Sequence, residues 1–390
     1  MKTIVNIVSE QTLPNYLFVK EMYEKGDNIV WIVSKAKKIQ TAMQCLANVI
    51  GSISNQKIYL EEGKEENLEY VKHTLQQNIS GKEKFCVNLT GGTKMIAIAV
   101  YDFFKTNYQE TEFFYIPFPK NIVVNINSMQ SQEIKYKIKN VEEYLHLCNL
   151  KIGNTISREG YLSFENAKTV YSKLNDLRNI YNNELCELRE LKDKNKFCKK
   201  NSSKQYPYEV IDEVKLKEGV GGDKETRAER IKNFILFNDI PIKSETGFIS
   251  GDDMFYVSGG WFEDLIFYLT KEQEKPDDIV CGIEILKHGD ERSKNELDVV
   301  YTKNNKLYVR ECKTGWEKGK MFNEIVYKAA AIKSLFGLST KSSLFAYMDK
   351  LSENKKEEQQ NIETLNKMGV TYFGKKEIDN ELNKLNESSL

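Results

Sequence analysis

Residues 284–313 read EILKHGDERSKNELDVVYTKNNKLYVRECK and combine several acids and a terminal lysine with two strand-forming runs. The runs, LDVVY at 297–301 and KLYVREC at 306–312, are rich in β-branched and aromatic residues. An asparagine pair at 304–305 lies between them, and asparagine is common in tight turns between strands. The pattern therefore predicts two antiparallel strands joined as a β-hairpin.

The two predicted strands bring acids and an amine to one place. Side chains alternate between the faces of a strand, so Glu296 and Asp298 share one face. On the partner strand, Glu311 and Lys313 likewise share a face. Such acids are costly at the end of an apolar strand unless they are paired or bind a metal ion. A hard divalent cation would take oxygens from Asp298, Glu311 and the Cys312 carbonyl. Lys313 would then lie beside an attacking water or a scissile phosphate.

The order of these residues resembles the core of the PD-(D/E)xK nuclease superfamily. Asp298 is followed by twelve residues and then by Glu-Cys-Lys at 311–313, which matches the acid, acid and lysine of that core. The resemblance implies metal-dependent hydrolysis of a phosphodiester, and Mg²⁺ or Mn²⁺ suits the oxygen ligands. The alternative is a surface hairpin whose Glu and Lys side chains pair across solvent.

Two flanking segments add to the resemblance. GGWFEDLIFYL at 259–269 is similar to the first helix of the superfamily, with Glu263 as its acid. A helix predicted at 322–336 follows the hairpin, and in the superfamily a helix in this place often faces the site. The resemblance therefore implies a catalytic role for Glu263 and a phosphate contact for Lys328.

Residues 1–127 alternate short apolar runs with helical patterns, which is typical of a parallel sheet flanked by helices. Ligands bind such open sheets outside the carboxyl ends of the strands. The informative loops are therefore those that follow each strand. The predicted strands are TIVNIV (3–8), NIVWIV (28–33), KIYL (57–60), KFCVNL (84–89) and TEFFYI (111–116).

Two of these loops are rich in groups that bind ligands or cap helices. SEQTLPN at 9–15 follows the first strand and is also compatible with an ordinary helix cap. LTGGTKM at 89–95 follows the fourth strand and opens an apolar helix. Its paired glycines let the backbone approach a ligand, and free N–H groups at a helix start favour phosphate. The alternative is a plain Gly-Gly turn, and the spacing matches neither a P-loop nor a dinucleotide fingerprint.

With both loops and the hairpin in view, the whole chain resembles the CARF-domain nucleases of type III CRISPR systems. The resemblance implies an N-terminal Rossmann-like sensor for cyclic tetra-adenylate or cyclic hexa-adenylate. It also implies a homodimer that holds one ligand across its two-fold axis, and a symmetric ligand suits such an interface. The sensor positions implied as ligand contacts are Ser9, Gln11, Thr12, Asn15, Thr90, Gly91, Gly92, Thr93, Lys94 and Met95.

Composition sets general limits. A chain of 390 residues, 40% hydrophobic and 29% charged, is long enough for two or three domains. Its 57 basic residues balance 57 acidic ones, so any surface for nucleic acid must be local. The N-terminus is typical of a strand and no apolar run spans a membrane, which predicts a cytoplasmic protein without membrane contact. Seven scattered cysteines and three histidines indicate neither a disulfide framework nor a zinc site.

The strand and helix patterns, together with the resemblance, predict an α/β protein in three parts. Residues 1–150 form a Rossmann-like CARF domain with a parallel sheet, and residues 246–390 form a restriction-endonuclease-like α/β domain. Residues 151–245 form a helical or linker region whose relation to the nuclease is undecided. Within it, an amphipathic helix is predicted at 164–197 and is followed by a basic stretch up to residue 204.

Shorter segments carry further predictions. Residues 121–138 are typical of a β-ribbon that leaves the first sheet, and residues 141–150 of a short helix. After the hairpin, strands are predicted at 342–348 and 370–373. The polar tail from residue 380 is expected to fray.

The acids and lysine of the hairpin predict a metal-dependent endonuclease, and the resemblance implies that a cyclic oligoadenylate activates it. It would cleave single-stranded DNA or RNA, or nick duplex DNA such as a plasmid. One alternative is a constitutive repair or restriction nuclease, which the neutral net charge opposes. Another is a ligand-binding signalling or transcriptional module without nuclease activity, which the intact acids and lysine oppose. Cleavage of the activator by the sensor domain itself is left open.

Overall fold

The structure is a computed structural model that describes residues 1–51, 55–81, 84–153, 163–177, 204–208, 227–237, 239–314, 320–336, 340–347 and 354–388. The predicted helix beyond residue 177, and the basic stretch that follows it up to residue 203, lie outside these ranges. Two sheets organise the described residues, one in each half of the chain.

Seven strands form the N-terminal sheet: β1 (Lys2–Ile7), β2 (Asn28–Ser34), β3 (Asn55–Leu60), β4 (Lys84–Asn88), β5 (Glu112–Tyr115), β6 (Ile122–Asn125) and β7 (Gln130–Glu133). Their spatial order is β3-β2-β1-β4-β5-β6-β7. The first five strands are parallel, and β6 and β7 add an antiparallel hairpin at one edge. The loops after β1 and β4 therefore lie next to each other.

Helices cover both faces of this sheet because its strands are apolar on both sides. Ile4 and Trp31 pack with two helices on one face, and Val5 and Val30 pack with two others on the opposite face. The arrangement confirms the predicted α/β fold of the N-terminal half. The helices are α1 (Leu13–Met22), α2 (Lys37–Ile50), α3 (Leu68–Asn78), α4 (Lys94–Asn107) and α5 (Val141–Leu147).

Short elements follow: β8 (Leu150–Ile152), α6 (Phe164–Leu177), β9 (Gln205–Pro207), α7 (Arg227–Phe237) and β10 (Phe248–Ser250). β9 and β10 pair with each other as a two-stranded sheet. Val170, Leu174 and Phe234 are buried in one cluster with apolar residues of 254–269. The described elements of the middle region therefore pack against the C-terminal half.

The C-terminal sheet contains β11 (Asp278–Lys287), β12 (Asp290–Lys303), β13 (Lys306–Lys313), β14 (Lys341–Ala346) and β15 (Val370–Phe373). Its spatial order is β15-β14-β13-β12-β11-β8. β11, β12 and β13 are antiparallel neighbours, whereas β13, β14 and β15 are parallel. The hairpin predicted at 297–312 and the two strands predicted after it are confirmed.

The helices of this half lie on both faces of the sheet. They are α8 (Gly251–Phe255), a π-helical turn (Tyr256–Gly260), α9 (Trp261–Glu274), α10 (Lys320–Phe336), α11 (Lys355–Lys367) and α12 (Lys375–Ser388). α9 packs with Val299 and Cys312 on one face, and α10 packs with Val300 and Val309 on the other. Among the described helices, none has both the length and the apolar character needed to cross a membrane.

Three predictions about short segments were wrong. The ribbon at 121–138 extends the first sheet through β6 and β7 instead of leaving it. The helix predicted at 141–150 is shorter, because α5 ends at Leu147. The residues that follow form β8, which pairs with β11 in the second sheet. The tail from residue 380 belongs to α12, because Ile378 is buried and Leu382, one turn later, packs against the same core.

Candidate active site and sensor loops

The register of the β12–β13 hairpin places the predicted acids opposite each other. The ladder pairs Val300 with Val309. Two residues further along each strand, on the same face, lie Asp298 and Glu311. Val300 and Val309 are fully or almost fully buried against α10 and the N-terminal half. On one face of the hairpin, a buried valine pair is therefore followed, two residues along each strand, by a pair of carboxylates.

Both carboxylates are buried, and each residue is 7% exposed. Oδ2 of Asp298 accepts a hydrogen bond from the backbone N–H of Cys312 at 2.7 Å, which fixes this side chain across the two strands. The Cys312 thiol lies in the apolar cluster on the opposite face, and burial raises its pKa well above the ordinary value. The main-chain carbonyl is therefore the atom of Cys312 that remains a predicted metal ligand.

Two lysines contact Glu311. Nζ of Lys313 lies 2.6 Å from Oε1, and Nζ of Lys328 on α10 contacts Oε2. Nζ of Lys328 is also 3.9 Å from Oδ1 of Asp298, so one ammonium lies between both carboxylates. Burial and the nearby Asp298 raise the pKa of Glu311, while the two lysines oppose this shift. Burial alone lowers the pKa of Lys313 and of Lys328, but the carboxylates outweigh it and both pKa values are raised.

This carboxylate pair fits a divalent cation. The ammonium of Lys328 already places positive charge between the acids, and a cation would relieve the repulsion that helps to raise the pKa of Glu311. Oxygen donors of this kind suit Mg²⁺ and Mn²⁺. Among the described residues, no three His, Cys, Asp or Glu side chains form a metal-binding group. The two carboxylates would therefore be completed by the Cys312 carbonyl, by water or by phosphate oxygens.

Glu263 lies beside the same end of β13. It is in the first turn of α9 and helps to raise the pKa of the Cys312 thiol, after the larger effects of burial and Asp298. The start of α9 also approaches the residue that follows β13, since a Cβ added at Gly259 would be 3.1 Å from Oγ1 of Thr314. The predicted first helix is thus next to β13, and a catalytic role for Glu263 stays a prediction.

The two glycines of the second sensor loop are required by packing against β1. A Cβ at Gly91 would lie 1.8 Å from the carbonyl oxygen of Ile7. Gly92 has a φ of +73°, and a Cβ there would lie 2.5 Å from Cγ2 of Ile7. Glycine adopts such backbone conformations without a steric cost. The sequence interpretation assigned both glycines to ligand approach and missed this contact with the neighbouring strand.

Threonines of the predicted sensor set hold the loops in place. Oγ1 of Thr90 donates to Oδ1 of Asn88 at 2.6 Å and accepts the backbone N–H of Ile116 at 2.8 Å. Oγ1 of Thr12 donates to the carbonyl oxygen of Leu147 at 2.6 Å. These hydroxyls therefore serve the fold, whatever contact with a ligand they also make.

Other members of the set divide between the interior and the solvent. Nδ2 of Asn15 donates to the carbonyl oxygen of Ile7 at 2.7 Å. Thr93 caps α4, because its hydroxyl accepts the backbone N–H of Ile96 at 3.3 Å. Ser9 and Met95 are half-buried. The residues of the set that face solvent are Gln11, Gly92, Thr93 and Lys94.

A buried amide pair beneath these loops escaped the sequence reasoning. Asn6 and Asn88 are paired residues of β1 and β4, and both are fully buried. Nδ2 of Asn88 donates to Oδ1 of Asn6 at 3.0 Å, while Oδ1 of Asn88 holds Thr90. The signal was a single asparagine inside each of two otherwise apolar strands. A buried amide in such a strand needs polar partners, and here the partners fix the loop.

Comparison with known proteins places both halves of the chain in one family. Residues 3–144 match the Card1 CARF domain, and residues 252–389 match the Card1-like endonuclease domain. No curated protein matches the chain in sequence.

Three solved structures share the fold over nearly the whole chain. Can2 from Sulfobacillus thermosulfidooxidans, in complex with cyclic tetra-adenylate, has a TM-score of 0.68 at 19% identity, with 98% of this chain and 99% of that chain covered. Protein VC1899 from Vibrio cholerae has a TM-score of 0.68 at 16% identity, with coverage of 99% and 97%. A type III CRISPR defence DNA nuclease activated by cyclic oligoadenylate has a TM-score of 0.53 at 12% identity, with coverage of 98% and 51%.

At these identities the structural likeness concerns the fold. The two domain matches, in contrast, take in the loops after β1 and β4 as well as the hairpin that carries Asp298 and Glu311. The chain therefore belongs to the Card1-like family, with a CARF domain in its N-terminal half and a Card1-like endonuclease domain in its C-terminal half.

Proposed function

We propose that this protein is an endonuclease of type III CRISPR defence that is activated by a cyclic oligoadenylate. It hydrolyses phosphodiester bonds of single-stranded DNA or RNA, or nicks duplex DNA, in the cytoplasm. The observation that carries the proposal is the convergence of Asp298, Glu311, Lys313 and Lys328 at one end of the hairpin. In a Card1-like endonuclease domain, two buried acids flanked by two amines are suited to binding a cation and a phosphate.

The chain's own groups divide the work at this site. Asp298 and Glu311 would hold Mg²⁺ or Mn²⁺, which when bound neutralises developing charge and lowers the pKa of an attacking water. The backbone N–H of Cys312 keeps the Asp298 carboxylate in position. With Glu311 engaged in holding a cation, the ammonium groups of Lys313 and Lys328, which contact it in this structure, would be available to phosphate oxygens. Fixed positive charges of this kind stabilise the negative charge that grows in the transition state.

The activator would bind above the solvent-facing residues of the two sensor loops. Gln11, Thr93 and Lys94 are exposed at the carboxyl ends of neighbouring parallel strands. The N-terminus of α4 adds backbone N–H groups that favour phosphate. The complex of Can2 with cyclic tetra-adenylate supports this ligand, and cyclic hexa-adenylate has the same chemistry. Because the ring is symmetric, we propose a homodimer with the ring on its two-fold axis.

A single experiment tests the proposal. The protein is incubated with Mn²⁺ and labelled single-stranded DNA, single-stranded RNA or supercoiled plasmid, with and without cyclic tetra-adenylate or cyclic hexa-adenylate. We expect cleavage of at least one substrate that depends on the activator and that Glu311→Gln abolishes. Equal cleavage with and without activator would indicate a constitutive nuclease. Activator binding without cleavage of any substrate would indicate a signalling module.

A further inference from the structure

Asn305, in the turn of the catalytic hairpin, connects the two halves of the chain. Its φ of 59° lies in the left-handed region, and the residue is 2% exposed. Oδ1 accepts the backbone N–H of Ile138 at 2.9 Å. Nδ2 donates to the carbonyl oxygen of Tyr136 and to Oδ1 of Asn121, both at 2.8 Å. One side-chain amide between β12 and β13 therefore makes three hydrogen bonds to the N-terminal half.

The segment 134–138 that this amide holds is held from its other side by α1. Oε2 of Glu21 accepts two backbone N–H groups of the segment, each at 3.0 Å. The hydroxyl of Tyr16, also on α1, lies 2.9 Å from the hydroxyl of Tyr136. Residues 9–12 of the first sensor loop lead directly into α1. Hydrogen bonds therefore run without a break from the helix behind that loop to the hairpin turn.

A second connection runs from the first sensor loop to the C-terminal sheet, mainly through backbone pairing. Thr12, just before α1, donates to the carbonyl oxygen of Leu147 at the end of α5. β8 follows α5 and pairs with β11, which in turn pairs with the strand that carries Asp298. Beyond Thr12 this connection consists of strand pairing, which no single side-chain substitution removes. Asn305 is different, because one substitution removes its whole contribution.

On the other side of the turn, β12 and β13 lead directly to the site. The two strands pair from the turn as far as Val299 and Arg310, next to the carboxylates. Tyr301 and Tyr308 stack across them with 4.6 Å between ring centroids. The strand pairing and the ring stacking tie the turn to the end of the hairpin that carries the carboxylates, so we expect the two strands to shift together. A displacement of the turn therefore displaces both carboxylates.

We propose that Asn305 is a positioning residue that couples the sensor to the catalytic hairpin, an inference that rests on the activation proposed above. Its amide fixes the hairpin turn to segment 134–138, so that a shift of α1 on activator binding reaches the carboxylates. The coupling requires two arrangements of the protein that differ in their affinity for the activator. In a purely structural role, the amide would only satisfy buried backbone groups, and its loss would lower stability without changing the response to activator.

The test compares two substitutions in the same turn. Asn305→Gly keeps the left-handed backbone, since glycine adopts it freely, and removes all three hydrogen bonds. Asn304→Gly is the matched control, because Asn304 has a φ of 50° and is exposed. Each protein is assayed with Mn²⁺ and labelled single-stranded DNA and RNA, with and without cyclic tetra-adenylate or cyclic hexa-adenylate. Binding of the labelled activator and the Tm are measured in parallel.

We expect Asn305→Gly to bind the activator within about twofold of wild type, while the ratio of stimulated to basal cleavage falls about tenfold or more. Asn304→Gly keeps the wild-type ratio. Linkage supplies a second measurement that does not depend on turnover. A nuclease-resistant phosphorothioate oligonucleotide should tighten activator binding in wild type, and this shift should vanish in Asn305→Gly.

Each outcome decides the inference. A lower Tm with an unchanged ratio and an unchanged linked shift would make the amide purely structural and end the proposal. If Asn305→Gly does not fold, Asn121→Ala removes one of the three hydrogen bonds from the sensor side and should still lower the ratio. An unchanged ratio in that variant would equally overturn the inference. Wild-type protein that no cyclic oligoadenylate stimulates would instead overturn the proposed function, so the two failures are distinguishable.

Discussion

The charged groups at the end of the β12–β13 hairpin contact one another, whereas many polar groups of the sensor loops bond to the backbone that holds those loops. At the hairpin, Lys313 and Lys328 approach the Glu311 carboxylate in a buried site. At the sensor, the hydroxyls of Thr12 and Thr90 fasten a loop to a neighbouring segment. A polar motif therefore indicates a site of chemistry only where its side-chain atoms are not already engaged in hydrogen bonds that hold the fold.

The two regions should therefore respond differently to substitution. In the hairpin, removal of a charge should abolish chemistry and leave the fold nearly intact. In the loops, removal of a hydroxyl or a glycine should lower the stability of the fold, so that a loss of ligand binding would not by itself identify a ligand contact. Substitutions whose effects on stability and on activity are measured separately test this contrast.

The largest effect is expected from Glu311→Gln. The change removes the charge of the proposed metal ligand but keeps the size of the side chain, so cleavage should fall at least about a thousandfold, or about 4 kcal/mol in the activation free energy. Cleavage is measured under saturating Mn²⁺ and activator. Activator binding, and the Tm measured without a divalent cation, should stay near wild type. Glu296→Gln, an exposed position earlier on β12, is the matched control and should retain activity. Near-normal cleavage by Glu311→Gln would end the PD-(D/E)xK assignment.

Metal binding should also be visible in the stability of the protein. Mn²⁺ that binds only the folded state, at about one hundred times its Kd, should stabilise wild type by about 2.7 kcal/mol. Glu311→Gln should lose most of this gain, because the remaining carboxylate binds a cation weakly. Thermal melts with Mn²⁺, with Mn²⁺ plus EDTA and with a zinc-selective chelator measure the effect. An equal Mn²⁺ shift in both proteins would place the cation away from the carboxylate pair.

In the sensor, Thr90→Val should lower stability by about 2 kcal/mol. The substitution deprives the Ile116 N–H of its acceptor and Asn88 of a donor, and an unsatisfied buried polar group costs about 1–3 kcal/mol. Thr90→Ser keeps the hydroxyl and is the conservative control. Urea denaturation measures the difference between the two variants. If Thr90→Val were as stable as wild type but no longer bound activator, the hydroxyl would belong to the ligand, and the contrast between the regions would fail.

A bulky substitution at Gly92 would not test ligand approach. Any side chain at Gly92 would meet Ile7 in a backbone conformation that favours glycine, so a loss of binding would follow from a distorted loop. A substitution that leaves the loop intact is needed instead.

The sequence predicted the hairpin well because its signals are local. Period-two alternation, a short turn and the spacing from Asp298 to residues 311–313 all lie within thirty residues of one another. The roles of the sensor residues depend on distant partners, and the hydroxyl of Thr12 bonds to a carbonyl 135 residues away. Strand β8 was missed for the same reason, since its three residues form a strand through pairing with β11.

Asn305 shows most clearly what local sequence signals could not predict. The asparagine pair predicted a turn, and both residues have positive φ. Nothing local distinguishes the exposed Asn304 from the buried Asn305, whose partners are all more than 160 residues earlier in the chain. In contrast, α12 had a readable signal in the apolar spacing from Ile378 to Leu382, which the polar composition of the tail obscured.

The smallest predicted effect is the most informative about the ligand, and it concerns Lys94→Ala. Lys94 is the first residue of α4, where the helix dipole is positive and no acidic residue lies in the first turn. A cation there costs about 0.3–1 kcal/mol, so its removal should stabilise the sensor slightly. If this lysine binds an anionic ring, the same change should weaken activator binding about tenfold, or about 1.4 kcal/mol.

Lys105→Ala is the matched control, because Lys105 lies in the last turn of the same helix, where the dipole is negative. It should lower stability slightly and leave binding unchanged. Titration of labelled cyclic tetra-adenylate and of labelled cyclic hexa-adenylate, together with urea denaturation, measures both quantities. Stability and binding that move in opposite directions at Lys94 would show a residue kept for the ligand at the expense of the helix. If Lys94→Ala bound each ring as tightly as wild type does, the ring would bind elsewhere. The loop would then be a turn that only packs against β1.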